Sequence, residues 1–244
     1  MTGELVWTEL KLLFREPLVL VVSLLFPIML MVLLLASFSG DTDPVFAGVG
    51  GSEFYVTAYL AASVAAMGFM GTPTHLASYR SSGVLRRFRA ASVPAGSLVV
   101  TQTAVIAVLA VVGTTIMLAL AYSGWDVATP ASVPGVVLGF VVGILAFAGI
   151  GTLLGAIMPT ARAAQGLGLL LFFGTFFLVG GGPPPGVLPD TLNTIASWTP
   201  TGLLVDAIRS PWIGNGNDVG ALVTLGAVAV VTATLAVRRL TRSS

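Results

Sequence analysis

The chain has 244 residues, 56% of them hydrophobic and only 9% charged, with a formal net charge of +1. Soluble domains carry roughly a quarter charged residues, so this composition excludes that class and points to a membrane. With no cysteine and a single histidine, His75, it also excludes disulfides, thiol chemistry and a multi-histidine metal site within one chain.

Glu4–Glu16 reads as a short amphipathic helix. Glu4, Thr8, Lys11 and Arg15 make a polar stripe, and Val6, Trp7, Leu10, Leu13 and Phe14 make the other face. Such a helix lies in the membrane interface, and anchoring alone would explain it. Six uncharged apolar runs follow: Leu18–Phe38, Phe54–Thr74, Ser97–Tyr122, Val133–Met158, Ala164–Gly182 and Val219–Val237. Each has 19 to 26 residues, enough at ~1.5 Å per residue to cross ~30 Å of hydrocarbon as a helix. The first run is longer than the ~7–15 residues of a signal-peptide core, so an uncleaved helix is expected.

The charges orient these spans. With the N-terminus in the cytoplasm, ten of the eleven basic residues fall on the cytoplasmic side, and only Arg209 lies outside. Seven of the ten acids fall on the outer side or its border: Asp41, Asp43, Glu53, Asp126, Asp190, Asp206 and Asp218. Positive charge resists translocation, which makes both termini cytoplasmic.

The second span leads into a cytoplasmic loop, running from about His75 to Gly96. Within it, Val84–Ala91 can form a short helix with Val84, Leu85 and Phe88 on one side and Arg86, Arg87 and Arg89 on the other; Pro94 ends it. One reading is a loop whose arginines hold topology or touch anionic lipid; the other is a docking helix for a cytoplasmic partner. No nucleic-acid role is expected, since topology alone explains four arginines beside a membrane.

The fourth span carries Gly139-x-x-x-Gly143 and Gly151-x-x-x-Gly155, a spacing that lets helices approach closely within one subunit or between two. Phe172, Phe173, Phe176 and Phe177 form one broad face of the fifth span, which ends at Gly180–Pro185 because triple proline cannot continue a helix. Leu188–Trp198 and Thr201–Ser210 then read as two short apolar helices, too short to cross and too apolar for water. A re-entrant or interfacial hairpin on the outer side satisfies both limits, and Asp206 and Arg209, three apart on one face, are placed to pair.

The expected fold is therefore all-α. It is a polytopic membrane protein with six transmembrane helices, an interfacial N-terminal helix and an outer re-entrant hairpin (183–218) before the last span, in one domain over 1–244. Catalytic chemistry is poorly supplied. No G-x-S-x-G elbow is present, and the single lysine, in Glu9-Leu10-Lys11, cannot complete a P-loop. No span contains Asp, Glu, Lys or Arg, against proton- or ion-coupled transport. Energy for transport would have to come from a partner.

The order of elements resembles the membrane (permease) subunit of type-2 ABC exporters, the group with bacterial drug, antibiotic-resistance and polysaccharide or lipid exporters. The likeness rests on four stretches: Glu9-Leu10-Lys11…Arg15-Glu16-Pro17 followed by Phe26-Pro27; Tyr79–Phe88 with Pro94; Ala161–Gln165; and Gly180–Pro183, Leu188-Pro189, Trp198-Thr199-Pro200 and Asp206–Arg209. Ser81 and Ser82 stand where the family often has an acidic residue. The resemblance implies a cytoplasmic nucleotide-binding subunit that binds ATP and Mg, a second permease copy in a homodimer, and no cofactor or metal in this chain. It implies coupling through Gly83, Val84, Leu85, Arg86, Arg87 and Phe88 in the loop 80–96. The four phenylalanines are a candidate substrate path for a hydrophobic small molecule leaving across the bacterial cell membrane, or they pack the dimer or face lipid. Two other classes stay open: a self-contained channel or carrier, and an intramembrane enzyme centred on His75.

Overall fold

A computed structural model describes residues 6–8, 11, 25–38, 44–46, 48–83, 94–182 and 184–242. Most of the described residues are helical. In chain order they form α1 (Phe26–Phe38), α2 (Gly51–Ala66), a π-helical turn (Met67–Gly71), α3 (Thr72–Ser81), α4 (Ala95–Gly124), α5 (Val133–Ile157), α6 (Ala161–Leu178), α7 (Asp190–Trp198), α8 (Pro200–Trp212) and α9 (Val219–Arg242). The run Gly51–Arg80 and the helices α4, α5, α6 and α9 are each long and apolar enough to cross a membrane. The shorter α1 is the second part of the expected first span, whose residues 18–24 lie outside the described residues.

Local chemistry sets the helix ends. Ser132, Thr160 and Thr199 each accept a hydrogen bond from the backbone N–H three residues on, capping α5, α6 and α8. Asp218 does the same for α9 through Ala221 N. Pro134 and Pro200 occupy the first turns of α5 and α8, where a missing N–H costs nothing. At the far end of α6 the chain leaves the helix through Gly180 at φ +95°, a left-handed conformation that favours glycine.

The second span forms the axis of the molecule. From Gly51 to Ala77 nearly every residue is buried, and α1, α4, α5, α6 and α8 all pack around it. It also runs further than its hydropathy implied. The expected cytoplasmic loop starts near His75, but the helix continues to Ser81 and carries His75 into the interior, 4% exposed. Its ring meets Tyr79 edge-on at 5.8 Å. Apolarity fades before the helix ends, because the last turns are covered by protein rather than by lipid.

The glycine pairs of α5 serve this packing inside the chain. Gly139 and Gly143 face Ala207 and Leu204 of α8, and Gly151 and Gly155 face Gly68, Thr72 and Leu76 of the second span. Any side chain at these four positions would collide with those neighbours, so the motif is an intrachain seam.

Candidate functional site

At the end that the charge pattern assigns to the cytoplasm, α3 stops in a glycine cap. Ser82 N and Gly83 N donate to Ser78 O (3.0 Å) and Arg80 O (3.3 Å), with Gly83 at φ +75°. Arg80 reaches from that last turn to α5 and donates from Nη1 to Ala156 O at 3.0 Å, satisfying a terminal carbonyl and placing a cation at the negative end of a helix. Above it, Leu76, Tyr79, Leu98, Ala156 and Leu240 form a small buried cluster that ties α3, α4, α5 and α9 together. The base of the expected docking loop is thus held against three other spans. Of the expected coupling residues only Gly83 is within the described residues; Val84, Leu85, Arg86, Arg87 and Phe88 lie outside them, as does most of Glu4–Glu16. In that N-terminal segment, Lys11 Nζ sits 5.2 Å from the Trp7 ring centroid.

The opposite end, which the charge pattern assigns to the outside, is stitched more heavily, and its centre is Arg209. The guanidinium leaves α8 for the start of α2. Nε donates to Thr57 Oγ1 at 3.0 Å, Nη2 donates to Phe54 O at 3.1 Å, and Cζ lies 4.1 Å from the Phe54 ring centroid. Such flat stacking with a hydrogen-bonding fork suits arginine and not lysine. The expected Asp206–Arg209 pairing is therefore replaced by a cross-helix clamp. The two charges still feel each other: burial lowers the Arg209 pKa to about 10 while Asp206 opposes the drop. Burial raises the Asp206 pKa, Arg209 lowers it, and Asp218 adds to the rise.

Other groups on the same plate follow suit. Tyr59 Oη donates to Gly181 O at 2.9 Å and Tyr55 Oη to Gly182 O at 3.5 Å, fastening the glycine turn after α6. Ala128 N donates to Glu53 Oε1 at 2.8 Å and Trp212 Nε1 to Ala128 O at 3.1 Å, fastening the loop between α4 and α5. Of these residues of α2 the sequence marked only Glu53, as one of the acids on the outer side. The signal for the others was Phe54, Tyr55, Thr57 and Tyr59 grouped at one end of the span.

The four phenylalanines divide. Phe172 and Phe176 are fully buried and stacked on each other at 5.2 Å and 17°. Phe176 meets Tyr59 edge-on at 5.3 Å. Phe173 is half-buried against Phe26 at 5.3 Å, and Phe177 is 47% exposed. Among the described residues no group of three or more acidic, histidine or cysteine side chains could hold a metal ion.

The chain matches the family described as "ABC-2 family transporter protein" over residues 36–238. It belongs to that family. No curated protein matches it. The match begins within α1 and ends within α9, so both ends of the site lie inside the family's extent. This ABC-2 transporter is a multi-pass membrane protein, and its part in the family's work is that of a transport subunit.

Proposed function

We propose that the chain is the permease of an ATP-driven exporter in a bacterial cell membrane, energised by a separate ATP-binding subunit that docks on residues 80–96. The family match over most of the chain carries this reading, and the missing P-loop lysine supports a separate energy source. A second copy of the chain would complete the pathway, and the cargo would be hydrophobic, a drug, antibiotic or lipid-like metabolite. The packing supplies a route for force. A push on the docking helix Val84–Ala91, and on the interfacial helix Glu4–Glu16, would enter at Gly83, pass to α5 through Arg80, and run along the buried second span to the Arg209 clamp. Release of the clamp would let the outer hairpin swing away from α2 and open the path outward. Phe173 and Phe177, which are not wholly enclosed within the chain, would be the members of the aromatic face to meet cargo. No fixed charge stands among them to offset the desolvation of an ion, which favours apolar cargo.

The test is a mild-detergent pull-down of the tagged protein from its host. Recovery of a P-loop ATPase, and its loss with Arg86→Glu/Arg87→Glu, is the expected result. A permease that comes down without any ATPase, under conditions that keep a known exporter whole, would overturn the reading.

A further inference from the structure

Between the end of α6, the outer hairpin and the start of α2 lies a cavity of about 190 Å³. Its apolar walls come from Phe54, Leu178, Val179, Ala196 and Val205, and polar groups enter from Asn193, Ser197, Asp206 and Arg209. The size decides what it can hold. Drug-sized ligands occupy ~300–1,000 Å³, whereas a cavity of ~150 Å³ accepts a single benzene ring. One ring with a short arm fits.

The polar groups are not neutral in their demands. Arg209 has already spent its Nε and one Nη on Thr57 and Phe54, and one face of its guanidinium lies over the Phe54 ring. Asp206 is different: among the described residues none donates a hydrogen bond to its carboxylate, which lines the cavity. Ser197 Oγ donates to Thr194 O, so its oxygen is left as an acceptor. Beside an apolar wall the cavity thus offers the acceptors of Asp206 and Ser197 next to the remaining N–H groups of Arg209, and the Asp206 carboxylate, which receives none of them, calls for a ligand that brings a donor. Ser197 is also exposed, which marks the mouth. Along the same helix Leu192, Ile195 and Trp198 present an exposed apolar face, the side that meets the outer leaflet if the hairpin lies at the interface.

We infer that this cavity is a binding site for amphiphilic amines, taking an aromatic or aliphatic ring against Phe54, Ala196 and Val205 and an ammonium group on Asp206, with entry from the outer leaflet past Ser197. Arg209 is the positioning residue: held by Thr57, it fixes the Phe54 ring and the α8 backbone that carries Asp206. The inference does not rest on the energy source, since binding needs no nucleotide.

The experiment uses the purified full chain in lipid nanodiscs, without nucleotide, and follows para-fluorobenzylamine by fluorine NMR, with para-fluorotoluene as its uncharged counterpart. Saturable binding of the amine is expected, about tenfold weaker in Asp206→Asn for the loss of one charge-assisted hydrogen bond. The Ser197→Trp variant, altered at an exposed position, is expected to melt like the wild type and to lose saturable binding. The toluene should partition without saturating. Equal amine affinity in Asp206→Asn, equal saturation by the toluene, or undiminished binding in Ser197→Trp would each overturn the proposal. Should Asp206→Asn fail to fold, Ser197→Trp decides alone. Absence of amine binding alongside a co-purifying ATPase would remove the site and leave the exporter standing; binding without an ATPase would do the reverse.

Discussion

Arg209 is the one cation that the charge pattern assigns to the outer side, an exception to the asymmetry that orients the chain, and it is accommodated because three groups of α2 receive it. Hydrogen bonds from a charged donor contribute ~1.5–3 kcal/mol each. Arg209→Met is therefore expected to cost about 2–4 kcal/mol, and at ~2–4 °C per kcal/mol for a chain of this size the melting midpoint in detergent should fall by roughly 4–16 °C. Arg209→Lys should recover no more than about half of that, because an ammonium cannot span both acceptors and lie flat on the ring. Asp206 makes a pH prediction of opposite character. Burial lifts its pKa above the ordinary 3.8, so the folded state binds the proton more tightly than the unfolded one. Its contribution is complete below that ordinary value and is lost as pH rises through the folded value. Melting curves taken from pH ~4 upward should show this decline in the wild type and a flatter profile in Asp206→Asn. That Arg209 was special was legible as an exception to the charge pattern; its partners were not. Thr57 is 152 positions away, and nothing in the local spacing of α8 distinguishes a partner on its own helix from one across the bundle.

At the scale of elements, spans and hairpin were legible because hydropathy and proline punctuation are local properties. The break after the fifth span falls at Leu178, and the two short helices begin at Asp190 and Pro200, close to where the sequence put them. What periodicity left open was which neighbour each face meets. Gly139 and Gly151 fitted either a subunit seam or an internal one, and their neighbours on α8 and the second span make it internal. Gly151→Leu should accordingly reduce the folded fraction sharply in size-exclusion chromatography. Gly174→Ala, with open space around its position, should fold as well as the wild type and gain up to ~1 kcal/mol of helix stability. The phenylalanine face was visible as a cluster, but its division into a stacked internal pair and an outer pair depends on where Phe26 and Tyr59 come from.

Across the whole molecule, the contacts reproduce the alternation that the charges imply. The start of α2, the end of α6, the start of α5 and the end of α8 meet at one end through Tyr59, Glu53 and Arg209, while the ends of α3 and α5 meet at the other through Arg80. Because the chain contains no cysteine, single reporters test this sidedness directly. Asn215→Cys, at an exposed position between α8 and α9, should react with a membrane-impermeant maleimide in intact cells. Ser82→Cys, exposed at the other end, should react only after permeabilisation. The central second span carries a further consequence, for biogenesis. It is one of the two least apolar of the five long helices, yet it is the one wholly enclosed by protein. A segment leaving the ribosome must first be accepted by lipid, and this one offers lipid less than the third or fourth span does. Its final place has to wait for α4, α5 and α6 to be made and to close around it, so the subunit matures late: a nascent chain halted before α5 would hold a weakly apolar, uncovered axis for the cell's membrane proteases to find.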